Sequence, residues 1–243
     1  MSEKHQQQLK AMAMERVHSI LYQSDKEVPL EYWPVIKEFT GMFLDDWNVF
    51  ENLLEAFRQD MESLELFSQN VDIFYRSGAG LHSVSFLGKE FALERELFAD
   101  YLASCTEIMR PFLPLGSVVE LDPRYFQPDP SSESAVKVVI TARCVAPKGY
   151  RSYFPYAGVI YPLGEMKKDR VIHFTSPLIR SVIHEGYRDE METSFELLMK
   201  KEMIVDRGLK SIEFSQEDMA KLQAKQDEHS DSEEKTKVEA GEH

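Results

Sequence analysis

The sequence predicts an α+β fold, with an N-terminal helical domain followed by a small, mostly antiparallel β-sheet that is capped by a helix. Two patterns of apolar residues along the chain indicate this. Apolar residues recur at helical spacing before residue 110, and they alternate with polar residues, as in strands, between residues 111 and 209. The composition agrees, because 43% hydrophobic residues in a chain of 243 can form a core without disulfides or metal ions.

Residues 1–24 contain an amphipathic helix, with apolar positions at helical spacing from residue 3 to residue 22. This helix either packs back on the body of the protein or folds against a partner helix. A second helix is expected to begin near Leu30, with Pro34 in its first turns, where a missing N–H costs least.

Two longer helices are predicted within a helical domain that spans residues 25–110. In the first, the apolar residues from Trp47 to Leu64 step by three and four, and Asp45 or Asp46 suits its N-terminal end. Residues 71–75 extend this helix or form a brief strand, and the glycines at 78 and 80 form a turn. The second long helix runs from about residue 83 to residue 109, where Arg110 and Pro111 end it.

The β-rich domain spans residues 111–209. Its predicted strands are Ser117–Leu121, Val136–Val145, Tyr153–Tyr161, Val171–Thr175 and Ile179–Tyr187. Gly158 lies in the middle of the third strand, where a bulge or a close backbone contact is expected. The residues between 122 and 134, rich in proline and serine, form a loop.

A helix from Asp189 to Arg207 covers the sheet, with Asp189 as its N-cap and Glu192 completing a variant capping box. Its apolar residues are expected to face the sheet, and Gly208 suits its C-terminal end. These apolar residues are Met191, Phe195, Leu198 and Met199. Residues 210–243 contain a short helix that ends near Gln223 and then an acidic tail, which is expected to be disordered because it has nothing to bury.

The net charge of −14 is concentrated in two segments. Residues 25–100 hold 16 acids against 6 bases, residues 226–243 hold 7 against 2, and residues 101–225 are neutral. A chain without a basic stripe is not expected to bind nucleic acid or an anionic membrane. An acidic front half either serves solubility alone or attracts a basic protein partner.

Compartment and membrane insertion can also be inferred. No apolar run approaches the ~20 residues that span a bilayer, and the polar N-terminus does not resemble a signal peptide. The two cysteines, Cys105 and Cys144, lie far apart in apolar settings, which is typical of buried free thiols. The sequence therefore predicts a cytoplasmic protein without membrane insertion, and it leaves open co-export with a partner.

The residues that could carry chemistry do not assemble a recognisable site. His184-Glu185 would need a histidine at position 188 to form a zinc-protease motif, and Arg188 stands there instead. His173 could approach from a neighbouring strand, but two histidines are too few for a metal. The acids at 185, 189, 190 and 192 either form an acid–base pair or stabilise a helix N-terminus. We therefore expect no catalytic, cofactor-binding or metal-binding residues and no enzyme.

Two sets of residues are candidates for binding a protein partner. Asp60, Glu62 and Glu65 lie on the expected polar side of the Trp47 to Leu64 helix, where basic partners would be steered to them. The second set forms an aromatic cluster beside Arg151, which either is a protein-binding patch or packs its alternate members in the core. This cluster contains Tyr153, Phe154 and Tyr156.

Three ordered blocks of residues resemble the signature of a small domain-of-unknown-function family of Gram-positive bacteria. They are Leu113-Pro114-Leu115-Gly116-Ser117-Val118-Val119-x-Leu121, Tyr156-x-Gly158-Val159-x-Tyr161-Pro162-x-Gly164 and Val182-Ile183-x-Glu185-Gly186-Tyr187-Arg188-Asp189-Glu190-x-Glu192. The resemblance covers residues 113–199. Members are often encoded beside type VII secretion genes and the LXG-type polymorphic toxins that this system exports, and the family has no established catalytic residues.

The resemblance implies an accessory role. We expect a chaperone or targeting factor that binds the helical N-terminal region of an LXG-type toxin, with other small helical secretion proteins as further partners. The alternative is an immunity protein that neutralises the catalytic domain of the toxin. A third hypothesis is an enzyme centred on His184 and the neighbouring acids.

Overall fold

The computed structural model describes residues 3–23, 28–125, 135–165 and 171–224. It confirms the α+β class and begins with three helices, α1 (Glu3–Gln23), α2 (Tyr32–Phe43) and α3 (Trp47–Arg58). Helix α1 agrees with the predicted amphipathic helix and packs on the protein's own body. The apolar residues that it buries are Leu9, Ala13, Val17, Ile20 and Leu21.

Helix α3 begins as predicted but is shorter than expected. The Asp46 side chain accepts a hydrogen bond from the Asn48 N–H at 3.1 Å, which caps the first turn. The predicted continuation to Leu64 is wrong, because the helix ends at Arg58 and Asp60 adopts a left-handed conformation with φ 50°. Leu64 belongs instead to the first strand of a sheet.

A four-stranded antiparallel meander follows, formed by β1 (Ser63–Ser68), β2 (Val71–Gly78), β3 (Leu81–Phe86) and β4 (Lys89–Glu94). The helix predicted from residue 83 is therefore wrong up to residue 94. Each of the three connections is a two-residue turn whose residues both have positive φ, which matches the right-handed twist of a hairpin. Those turns are Gln69-Asn70, Ala79-Gly80 and Leu87-Gly88.

The inner face of the meander packs on helices. Helix α4 (Arg95–Met109) follows β4 directly and ends before Arg110-Pro111, as predicted. The alternating residues His82, Val84 and Phe86 of β3 are buried while their neighbours are not. Phe39 of α2 contacts the rings of Phe86 and Phe91, at centroid distances of 5.1 and 5.8 Å.

The second sheet contains the strands that the sequence predicts. They are β5 (Val118–Leu121), β6 (Lys137–Val145), β7 (Ser152–Ile160), β8 (Ile172–Phe174) and β9 (Ile179–His184), joined by the short β10 (Lys210–Ser211). The order is β10-β7-β6-β5-β9, with β8 paired to β7, and every pairing is antiparallel except that of β10 with β7.

Gly158 makes the close backbone contact that the sequence predicts. A Cβ atom there would stand 2.3 Å from the Val139 carbonyl oxygen, beside a register shift between Ile140 and Ala142. Gly186 is equally confined, since its Cβ would stand 2.1 Å from the Leu115 carbonyl oxygen. Two close backbone contacts in the region of resemblance, at Gly158 and Gly186, therefore depend on the absence of a side chain.

The chain then forms α5 (Glu190–Lys200), which continues as a π-helical segment (Lys201–Asp206) and ends at Gly208 with φ 64°. Asp189 is its N-cap, accepting from the Glu192 N–H at 2.9 Å, as predicted. A last helical segment spans residues 216–224, also as predicted. The predicted loop after residue 125 and the predicted tail from residue 226 lie outside the described residues.

The helical half and the β-rich half share one large core. This core includes residues of α1 to α4 and of the inner face of the meander, and it also contains Cys144 of β6, Tyr153 of β7 and Phe214. A smaller cluster lies within the second sheet, formed by Val119, Leu121, Val138, Ile140, Tyr156 and Phe174. The division of the chain at residue 110 into two domains stays a prediction. Residues from both sides of this position contribute to the large core.

Candidate interaction surfaces

The three acids predicted to bind a partner, Asp60, Glu62 and Glu65, are all exposed. Their placement on one helix face is wrong, because α3 ends at Arg58. Asp60 forms an ion pair with Arg95 at 2.6 Å, whereas Glu65 lies on β1. Asp60 and Glu62 therefore lie just before the meander, and Glu65 lies on its first strand.

Glu65 belongs to the outer face of the meander, opposite the helices. It pairs directly with Phe74 of β2, and residues that pair directly across strands share a face. Phe67 pairs with Asp72 in the next row of that face. We name this surface the acidic face and define it by Glu65, Phe67, Asp72, Phe74 and Glu90, all of which are exposed.

The acidic face combines aromatic and negatively charged side chains. Phe67 is 70% exposed and Phe74 is 38% exposed, so both rings contact water. A shallow cavity of about 530 Å³ lies at one end, lined by Phe74 and by the Leu87 turn. Arg76 is the exposed base on the outer side of β2, and Lys89 at the rim pairs with Glu38 at 2.5 Å. An apolar ligand with positive charges at its margins would fit this surface.

The aromatic cluster predicted beside Arg151 is not a surface patch. Tyr153 and Tyr156 are each 1% exposed and Phe154 is 7% exposed, so the surface alternative is wrong, and all three residues rather than alternate ones are buried. The reason is the interior position of β7, which contributes to both hydrophobic clusters. The Tyr156 hydroxyl accepts a hydrogen bond from the Leu113 N–H at 3.1 Å, which satisfies it in the core.

The histidine and acid residues considered for chemistry do not meet in one site. His173 lies on β8 and His184 on β9, on opposite sides of β7, β6 and β5, so the expected approach of the two is wrong. Among the described residues, no three histidine, cysteine or acidic side chains are grouped so as to hold a metal ion.

The acids beside His184 have separate structural contacts. Glu185 pairs with Arg188 at 3.2 Å, Asp189 caps α5, and Glu192 binds Arg143 of β6 with an Nη2–Oε2 distance of 3.0 Å. The Asp189 cap agrees with the interpretation that the acids stabilise the start of a helix, whereas Glu185 and Glu192 form ion pairs with arginines. The absence of enzymatic activity stays a prediction.

Helix α5 is held by a buried ionic network that the sequence analysis missed. Glu196 and Lys200 are both fully buried and lie 2.8 Å apart. Lys200 also donates to the carbonyl oxygens of Ile108 and Arg110, at 2.8 and 2.7 Å, and Glu196 accepts from the Phe112 N–H at 3.0 Å. Glu-x-x-x-Lys spacing is typical of exposed helix surfaces, so the spacing carried no signal of this burial.

Burial and the ion pair act on this network in opposite senses, and burial outweighs the attraction of the Glu196 carboxylate and lowers the pKa of Lys200. Burial alone would raise the pKa of Glu196, but Lys200, the Phe112 N–H and Arg188 outweigh it and lower that pKa. The three N–H groups of the Lys200 ammonium have three oxygen acceptors in place of water, one each from Glu196, Ile108 and Arg110. The network ties α5 to the chain segment that leaves α4.

Because its charged side faces inward, α5 exposes its apolar side. Met191, Phe195 and Leu198 are 79%, 44% and 64% exposed, so the prediction that they face the sheet is wrong. Met199 is half-buried and packs against the large core. Tyr187, four residues before Met191 in the segment that precedes the helix, is 82% exposed. We name Tyr187, Met191, Phe195 and Leu198 the α5 stripe.

A second buried carboxylate, Glu107 of α4, lies where the helix meets β10. Its Oε1 accepts from the Ser211 N–H at 2.7 Å, and its Oε2 has no hydrogen-bond partner among the described residues. Burial, reinforced by the neighbouring Glu213 carboxylate, raises the pKa of Glu107 to about 8. The group is thus largely protonated at neutral pH.

Comparison with known proteins gives one match. A family model described as Domain of unknown function (DUF4176) matches residues 112–195, about a third of the chain. No curated protein and no solved structure matches significantly. The matched part contains β5 to β9 and the first half of α5, which confirms the predicted resemblance to a family of unknown function. The association with type VII secretion is not tested by this match.

Membrane insertion by a helix can be judged for the described residues. None of the helices in that part of the chain is long and apolar enough to cross a membrane.

Proposed function

We propose that this protein is a non-enzymatic accessory protein of type VII secretion. It binds the helical N-terminal region of an LXG-type toxin in the cytoplasm, as a chaperone or targeting factor. The resemblance of residues 113–199 suggests this class of partner. The single observation that carries the proposal is the acidic face, on which two exposed phenylalanines stand among carboxylates.

The chemistry of the acidic face specifies what a partner must offer. Buried aromatic side chains commonly supply much of the binding energy of an interface, and Phe67 and Phe74 would have this role when a partner covers them. The surrounding carboxylates increase the association rate of a basic partner by long-range attraction. The partner segment is therefore an amphipathic helix whose apolar stripe is flanked by lysine or arginine residues.

The direct test is capture of the purified N-terminal region of the adjacently encoded toxin by the full-length protein. Glu65→Lys combined with Asp72→Lys is expected to slow association on the order of tenfold, since charge reversal acts mainly on encounter. The effect should shrink as salt rises, because exposed charges are screened within ~8 Å at physiological ionic strength. Phe67→Ser is expected to accelerate dissociation instead.

Glu51→Lys is the matched control, because Glu51 is an exposed acid on α3 outside the acidic face. It is matched to the single variant Glu65→Lys, which makes the same charge change and should slow association, whereas Glu51→Lys should leave binding nearly unchanged. The proposal is wrong if the toxin region is not captured, or if toxin export is normal when the gene is deleted. Equal effects at Glu51 and Glu65 would show that net charge acts without a specific site.

The second candidate function is immunity against the toxin. The observation that favours it is the excess of acids in residues 25–100, 16 against 6 bases, since such a surface can mimic nucleic acid in the basic cleft of a nuclease. An immunity protein would bind the toxin's C-terminal catalytic domain and rescue cells that express that domain. An accessory factor would do neither, so domain mapping separates the two functions.

A further inference from the structure

The α5 stripe reverses the usual arrangement of a surface helix. Helices at a protein surface normally turn their apolar residues to the core and their charges to water. In α5, Glu196 and Lys200 are fully buried while Met191 is 79% exposed and Leu198 is 64% exposed. The steps of four and three residues from Met191 to Phe195 and Leu198 place these three side chains on one face of the helix, where they form an apolar row.

Such a patch differs from the isolated apolar residues found on most surfaces. Contiguous exposed apolar patches on soluble proteins mark contact sites, because covering them removes apolar area from water. The α5 stripe is rigidly presented, since the buried network fixes one side of the helix and the Glu192–Arg143 ion pair fixes its first turn. A preorganised helix loses little conformational freedom on binding.

The order of residues along α5 indicates what covers the stripe. If two copies of α5 lie antiparallel and cross at Phe195, Met191 of one copy meets Leu198 of the other. Phe195 then meets its own counterpart. A two-fold axis makes these contacts reciprocal, which is the requirement for an isologous interface.

The charges at the two ends of α5 favour this antiparallel arrangement. Glu190, in the first turn, is exposed, and Lys201, just after the last turn, keeps 45% of its side chain exposed. Both lie a similar distance from Phe195, so antiparallel helices bring the Glu190 of one copy near the Lys201 of the other. Parallel helices would instead place Glu190 against Glu190. Antiparallel helix dipoles also attract each other.

We propose that the α5 stripe is the interface of a two-fold symmetric homodimer, in which two α5 helices pack antiparallel about Phe195. A stable interface takes about 800 Å² from each partner, and smaller ones are typically transient. One helix face provides a small interface, so the dimer forms reversibly with concentration. This inference is independent of the acidic face and of the proposed toxin partner.

Sedimentation of the full-length chain over a concentration series tests the dimer. The wild type should shift with concentration from the 28.2 kDa chain mass towards twice that mass. Phe195→Glu should remain a monomer throughout, with an unchanged circular dichroism spectrum. Phe67→Glu is the matched control, since it puts the same charge on another exposed phenylalanine, and it should dimerise like the wild type.

Charge exchange tests the antiparallel geometry. Glu190→Lys and Lys201→Glu should each weaken the dimer, and the double variant should restore it, because the reciprocal pairs are re-formed with reversed signs. A wild type that stays monomeric at every concentration would overturn the proposal. So would a dimer that persists in Phe195→Glu. Failure of the double variant to restore a dimer that both single variants weaken would contradict the antiparallel arrangement. A stripe covered only by a foreign partner helix would give a monomer in this experiment.

Discussion

Lys200 is the residue whose removal should cost the most stability. It is fully buried and its ammonium contacts the Glu196 carboxylate and the carbonyl oxygens of Ile108 and Arg110. Lys200→Met leaves the Glu196 charge in the interior without its main partner, and breaking a buried pair in this way typically costs about 3–5 kcal/mol. The free energy of unfolding from urea titration is the measurement.

The neighbouring Lys201→Met is the matched control, because Lys201 is 45% exposed and its loss should change stability by under ~0.5 kcal/mol. The double variant Glu196→Leu/Lys200→Met should be more stable than Lys200→Met alone, since it removes both charges from the interior. A Lys200→Met protein as stable as the Lys201→Met protein would contradict the assigned role of the network.

Glu107 should make the protein less stable as pH rises. Its pKa in the folded protein is about 8, above the ordinary value of 4.5, so between these values the native state binds more protons than the unfolded state. The contribution is fully present below about pH 4.5 and is lost as pH rises to about 8. The slope approaches about −1.4 kcal/mol per pH unit within that window.

Glu107→Gln removes this titration, so the difference in unfolding free energy between the variant and the wild type should change with pH over the same window. Glu51→Gln, which alters an exposed acid, should follow the wild type at every pH. Parallel curves for wild type and Glu107→Gln would show that Glu107 is ionised in the native protein. Sequence patterns could not predict this residue, because its burial depends on the contact of α4 with β10, 104 positions along the chain.

At the scale of elements, the pairing of β6 with β7 depends on Gly158. A side chain there would stand 2.3 Å from the Val139 carbonyl oxygen, so Gly158→Ala must push the two strands apart. Overpacking of this kind typically costs about 1–3 kcal/mol. Thermal unfolding should show a lower midpoint for this variant.

Gly41→Ala is the control for the Gly158 prediction. Gly41 lies in α2, and a Cβ atom added there would have no neighbouring atom within 4 Å, so alanine should stabilise the helix by about 0.5–1 kcal/mol. Opposite signs at the two glycines are expected. A neutral Gly158→Ala would show that the strands separate without cost.

The elements that were predicted correctly have local sequence patterns that distinguish strands from helices. Strand β6 largely alternates apolar and polar residues, and prolines and glycines lie between the strands from β5 to β7, which distinguishes them from helices. The meander was missed because Phe86, Leu87, Phe91 and Leu93 also fit helical spacing, and Leu87-Gly88 is not among the common hairpin pairs. The acidic character of the candidate site could be predicted from charge alone. Its two phenylalanines could not, because their exposure follows from the strand register.

At the scale of the whole molecule, the large core should make the two predicted domains unfold together. Leu53 of α3 is fully buried in the same core that contains Tyr153 of β7. Leu53→Ala leaves a cavity that typically costs about 2–5 kcal/mol. Under conditions in which amides exchange by global opening, those of β7 should therefore lose as much protection as those of α3.

Amide hydrogen exchange followed by mass spectrometry separates this outcome from independent domains. The smaller cluster of Val119, Val138 and Phe174 lies wholly within the second sheet. If residues 111–209 unfolded independently of the helices before them, this cluster would keep β6 and β7 protected in the Leu53→Ala variant. Glu51→Ala, on the exposed side of α3, should leave both regions as in the wild type. Exchange that accelerates in α3 alone would establish a domain boundary near residue 110. Exchange that accelerates equally in both regions would establish that the matched segment folds only with the helices and meander that precede it. The structural reason is that Tyr153 and Cys144 pack in the same core as those elements.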